Sequence, residues 1–123
     1  MCEPIAWTPD TLPWGEPAPD GVCRAPLEGN AAQDGGAVIF AVKIPRGAWS
    51  KPHAHNQDVR VFVVSGVYRL GYGAEFTSDI ARAYPAGSYL LVLATIRHFD
   101  GADEDAVVFV STGGPIETHA ATG

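Results

Sequence analysis

Pro52-His53-Ala54-His55 places two imidazoles one residue apart, and a third, His98, follows much later in an apolar stretch. Imidazole is the commonest protein ligand for transition metals. Side chains at i and i+2 of an extended segment point to the same side. On a strand, His53 and His55 can therefore grip one ion, and His98 would complete a three-nitrogen face. Such a face leaves coordination positions for water or substrate, as a catalytic ion needs and a closed structural site does not.

The elements that must hold these residues are strands. Ala37 to Ile44 (AVIFAVKI) and Val59 to Val64 (VRVFVV) are rich in β-branched and aromatic residues. Gly21 to Leu27, Val67 to Leu70, Ser88 to Leu93 and Ala106 to Ser111 read as further strands, with an extended piece beginning at His98-Phe99. Turns are marked by Asp34-Gly35-Gly36, Pro45-Arg46-Gly47, Gly71-Tyr72-Gly73 and Pro85-Ala86-Gly87. Ala74 to Ala83 is the one segment with helical potential. Asp100 to Asp105 reads as a solvated acidic turn, and the tail after Gly113, with His119, as loose and solvated. Short strands between Gly/Pro turns predict an all-β sandwich or barrel.

Residues 1–20 hold five prolines with Trp7 and Trp14 between them. Prolines remove backbone donors and break ladders. The segment is therefore expected to be an extended arm, its tryptophans packed on the body or on a second subunit. One domain is expected over 1–123, with its core at 36–112. The net charge of -6 disfavours nucleic acid and anionic membranes as partners. No stretch approaches the roughly 20 apolar residues of a membrane span, and no basic, then apolar, leader is visible. A cytoplasmic protein with Cys2 and Cys23 as reduced thiols is expected. The sequence shows no convincing Ser-His-Asp order and no phosphate-binding loop.

Gly47-Ala-Trp-Ser-Lys-Pro-His53-Ala-His55-Asn-Gln-Asp-Val59-Arg-Val-Phe-Val-Val-Ser-Gly66 resembles the first motif of the cupin superfamily. That motif runs glycine, five residues, His-x-His, three or four residues, glutamate, six residues, glycine. Gly87 to His98, preceded by Pro85-Ala86, resembles the second motif. The resemblance implies an antiparallel jelly-roll β-barrel of six to eight strands. It also implies one divalent transition metal (iron, zinc or nickel) held by His53, His55 and His98. Three-histidine cupins include β-diketone-cleaving and thiol dioxygenases that use iron(II).

The chain departs from the family pattern at named positions. Val59 stands where the glutamate ligand usually stands. Leu93 and Thr95 replace the proline and glycine of the second motif. Asp58 or Gln57 would have to approach through a bulge or a loop to replace the glutamate. A water above Val59 is the simpler expectation.

By strand parity Val59, Val61 and Val63 face the interior, while Arg60, Phe62 and Val64 face outward. Phe62 and Val64 then need cover from a second sheet or a partner, in agreement with a homodimer. Val59, Gln57, Val61, Phe40, Phe109 and Ser111 are candidate pocket-lining residues. Arg60 and Arg97 are expected on the surface, with Arg97 an alternative clamp at the mouth. Tyr68, Tyr72 and Tyr89 are expected mostly in the core. The function expected is a metal-dependent enzyme of dioxygenase type acting on a small organic molecule. The alternatives are a non-catalytic metal- or ligand-sensing module, of which zinc-binding anti-sigma cupins are examples, and a metal-free vestigial cupin.

Overall fold

Two five-stranded antiparallel sheets pack face to face around one apolar core. The computed structural model describes residues 4–30, 32 and 35–120; Cys2 and Asp34 lie outside them. The first sheet is formed by β1 (Cys23–Glu28), β2 (Ala37–Ile44), β9 (Ala106–Gly113), β4 (Val59–Ser65) and β7 (Tyr89–Val92), in that order. The second is formed by β10 (Thr118–Ala120), β3 (His53–His55), β8 (His98–Ala102), β5 (Val67–Tyr72) and β6 (Arg82–Pro85). This is a jelly roll, all-β as expected. Among the described residues it has ten strands rather than six to eight, and the two sheets are not joined into a closed barrel.

The alternation of residue types sets the layers. Val59, Val61 and Val63 are buried, while Arg60, Phe62 and Val64 are exposed. On β9 the buried set is Ala106, Val108, Val110 and Thr112. Cross-strand partners share a face of the sheet. Val110 stands opposite Val61, and Val108 opposite Val63, so both strands turn their valines to the same interior. Thr112 is the exception in polarity, and its hydroxyl donates to the Asp58 carbonyl at 2.8 Å.

Two glycines allow close approaches. Gly66 adopts a φ of 72°, and a Cβ there would run into the backbone of Asp105 and Ala106. Gly71 lies against the ring of Phe99, which a Cβ would displace. That contact backs β8, the strand that carries His98.

Several expectations need correction. Ala74–Ala83 is not helical beyond a three-residue 3-10 turn, Ser78–Ile80, and Arg82–Pro85 is a strand paired with β5. The segment has no apolar period of 3.6, and β5 offers a sheet edge to its second half. The tail after Gly113 is not loose: β10 pairs with β3, setting Thr118 opposite His55 and Ala120 opposite His53. Asn56 explains this docking, because its side-chain nitrogen donates to the Pro115 carbonyl and its Oδ1 accepts from the Glu117 N–H.

The N-terminal segment runs extended along β1. The Trp7 indole donates to the Leu27 carbonyl at 3.1 Å, and the Gly15 N–H to the Arg24 carbonyl at 2.9 Å. Cys23 carries a free thiol. No helix among the described residues is long and apolar enough to cross a membrane.

Candidate metal centre

β3 and β8 bring the three histidines together. His53 stands directly opposite His98 in the strand register. His55 lies two residues further along β3, on the same side. The ring centroids are 4.3 Å apart for His53–His98, 5.0 Å for His53–His55 and 5.3 Å for His55–His98. One nitrogen from each ring lies within 4.8 Å of the others, so the three can hold one metal ion.

The backbone selects which nitrogen is free. His53 Nδ1 lies 2.7 Å from the Lys51 carbonyl, His98 Nδ1 3.0 Å from the Ile96 carbonyl, and His55 Nδ1 3.3 Å from the Glu117 carbonyl. A carbonyl only accepts, so Nδ1 of His53 and of His98 carries a hydrogen; His55 Nδ1 also meets the Thr118 hydroxyl at 3.1 Å, which can donate or accept. In a neutral ring so anchored the lone pair is on Nε2, the form a metal requires. Burial pushes His55 down from 6.5 to about 4, reinforced by His53 and His98 beside it. Burial also lowers His98. Neutral, lone-pair-bearing imidazoles are therefore the resting form of these two at neutral pH.

The loop before His98 is fastened to the first motif. The Ala94 N–H donates to Asp58 Oδ1 and the Thr95 N–H to the His55 carbonyl, both at 2.8 Å. Thr95 takes a φ of 68°, the left-handed conformation that glycine adopts without penalty. The turn of the second motif is thus kept although its glycine is not.

A cavity of about 1010 Å³ lies beside the histidines, between the sheets. Val59, Val61 and Phe40 line it. Gln57, Phe109 and Ser111 are not among its lining residues. The Gln57 amide donates instead to the Pro115 carbonyl. Phe109 stands opposite Phe62, and Ser111 opposite Arg60, on the outer face. Parity carried across from β4 to β9 settles this, because Phe62 and Arg60 already face outward. Asp58 is occupied with Ala94, and Val59 itself is buried in the cavity wall. The three-histidine group includes no carboxylate. Arg97 is exposed, beside a smaller cleft with His119 on the far side of β3. His119 is exposed as expected, although it lies on β10 and its ring sits 3.6 Å from the Glu117 carboxylate.

One functional candidate lies away from its expected place. Asp100 is not on a solvated turn but on β8, two residues beyond His98, and it lines the cavity. Tyr68 is buried as expected, whereas Tyr72 and Tyr89 are exposed; Tyr68 lines the cavity and its hydroxyl donates to Asp100 Oδ2 at 2.6 Å. Burial, with Asp100 beside it, raises the Tyr68 phenol well above its usual range, so it remains a donor. The signal was available: if His98 faces inward on a strand, so does the residue two positions on.

The profile of the ChrR cupin-like domain family matches residues 3–117. The chain belongs to this cupin family. Solved structures agree on the fold. KdgF from Halomonas sp. is 23% identical over 86% of this chain and 91% of its own, with a TM-score of 0.67. The polyketide cyclase RemF from Streptomyces resistomycificus is 12% identical, with a TM-score of 0.77 over 100% of this chain and 87% of its own. Rhodobacter sphaeroides anti-sigma ChrR, solved in complex with SigE, belongs to a structure that matches at 20% identity and a TM-score of 0.66, over 85% of this chain and 50% of that one. At such identities the likeness is one of fold. No curated protein sequence matches the chain.

Proposed function

We propose that this cupin is a small metal-dependent enzyme acting on a compact organic molecule, with oxygenase chemistry as its reaction class. The observation that carries this reading is the convergence of three Nδ1-anchored histidines on a cavity large enough for a substrate. The donor set suits iron, zinc or nickel, and with Val59 in the carboxylate position it adds no charge of its own. Iron(II) held there would supply open positions at which substrate and dioxygen can meet. His53, His55 and His98 hold the ion, the carbonyls behind them orient the rings, and the valine wall keeps bulk water away.

Metal analysis of the protein purified without added metal tests this. Near-stoichiometric iron, together with oxygen consumption on a 1,3-diketone, a thiol or a phenol, is expected. Zinc without oxygen uptake would remove the oxygenase reading. A metal-free protein with an unchanged fold would remove the metal as well.

The family match favours a second reading, a metal- or ligand-sensing module, because ChrR is an anti-sigma protein solved with its sigma factor. In that reading metal or ligand raises the melting temperature while no substrate turns over. We also read the exposed Phe62, Tyr89 and Leu91 on the outer face of the first sheet as the contact of a homodimer. The free Cys23 thiol fits a cytoplasmic setting. Light scattering after size exclusion tests the dimer.

A further inference from the structure

One wall of the cavity is apolar and the wall across from it carries polar groups, while β1, at the edge of the first sheet, adds the exposed Arg24. Every residue that β2, β4, β7 and β9 bring to it is apolar, among them Val38, Phe40, Val42, Val61, Val108 and Val110. The opposite sheet and the segment leading into it bring His53, His55, His98, Asp100, Tyr68 and Ser50. On that polar side Tyr68 takes one carboxylate oxygen of Asp100, Oδ2. Ser50 Oγ accepts the backbone N–H of Asp100 at 2.9 Å and gives no hydrogen bond to the carboxylate. Among the described residues no hydrogen bond engages Oδ1, and no buried side-chain oxygen or nitrogen lacks a partner. Oδ1 is therefore solvent-accessible, on a residue that lines the cavity.

We propose that the cavity takes an amphipathic organic molecule: an apolar body lying on the valine wall, with a hydroxyl at one end that donates to Asp100 Oδ1 beside the three histidines. A ligand polar on all sides, such as a sugar acid, would set hydroxyls against valines that cannot satisfy them. A wholly apolar ligand would leave the carboxylate without a donor. The cavity volume, about 1010 Å³, suits a ligand of drug-like size. Tyr68 is a positioning residue here, because its hydrogen bond holds the Asp100 carboxylate in one orientation. This inference rests on reading the cavity as a small-molecule site, but it does not require bound metal.

Calorimetric titration with 1-naphthol, 1-methoxynaphthalene and D-galacturonate tests it, on the protein as purified and again after chelator treatment. The naphthol is expected to bind at least about tenfold more tightly than its methyl ether, the loss expected when a charged acceptor goes unpaired. The sugar acid is expected not to bind. In Asp100→Ala, checked for native near-ultraviolet circular dichroism, the naphthol should fall to the level of the ether while the ether is unchanged. Equal binding of naphthol and ether by the unaltered protein overturns the proposal without any variant. So does preferential binding of the sugar acid, or a naphthol preference that survives Asp100→Ala. Naphthol selectivity in a protein that takes up no metal supports the ligand class and removes the metal reading. Metal uptake without naphthol binding does the reverse.

Discussion

His53 and His98 face each other directly across the β3–β8 pair, their ring centroids 4.3 Å apart, although 44 intervening residues separate them in the chain. The site is therefore a property of strand register. A shift of one residue in that pairing would turn one of the two rings to the other face.

Metal uptake should depend on all three rings. His53→Ala combined with His55→Ala is expected to abolish it, as is His98→Ala alone. Mass spectrometry of the metal content after dialysis reads this directly. Undiminished metal in the double variant would mean that the ion sits elsewhere.

Val59 is buried in the cavity wall, at the position the cupin motif gives to a carboxylate ligand. Val59→Glu should tighten divalent metal binding by at least about tenfold, because an added anion offsets the charge of the ion. A competition titration with a chromophoric chelator measures it. An unchanged affinity would show that position 59 does not face the ion.

The metal-free protein should lose stability in acid. His55 has a folded pKa of about 4 against 6.5 when free, and His98 is shifted in the same direction. Between these values the unfolded chain binds more protons than the folded one, so stability falls as pH drops from about 6.5 to about 4. Below about 4 His55 adds no further loss. Urea unfolding of the chelator-treated protein across this range checks the slope. In His55→Ala the slope should be shallower.

Thr95 holds a left-handed conformation with a β-branched side chain. Thr95→Gly removes that strain, set against the greater freedom glycine gains when unfolded, and should stabilise by roughly 0.5–1 kcal/mol. Gly66→Ala does the opposite. It adds a Cβ at a φ of 72° against the Asp105 backbone and should cost more than about 2 kcal/mol. Thermal unfolding of the two variants should move in opposite directions.

The sequence by itself determined the strand-rich fold, the His-x-His pair and the inward set of β4, because each depends on local spacing. A period of two tells which side chains share a face, and glycines at fixed intervals mark where the chain must turn. It also carried, unread, the inward parity of Asp100. Only the tertiary structure decided what lies across from what. The pairing of β9 with β4 sends Phe109 and Ser111 outward, and the pairing of β10 with β3 turns a tail into a wall of the metal centre. The Tyr68–Asp100 hydrogen bond joins residues 32 positions apart. Such relations depend on register between strands that are distant in the chain, and no local pattern of residue types encodes that register.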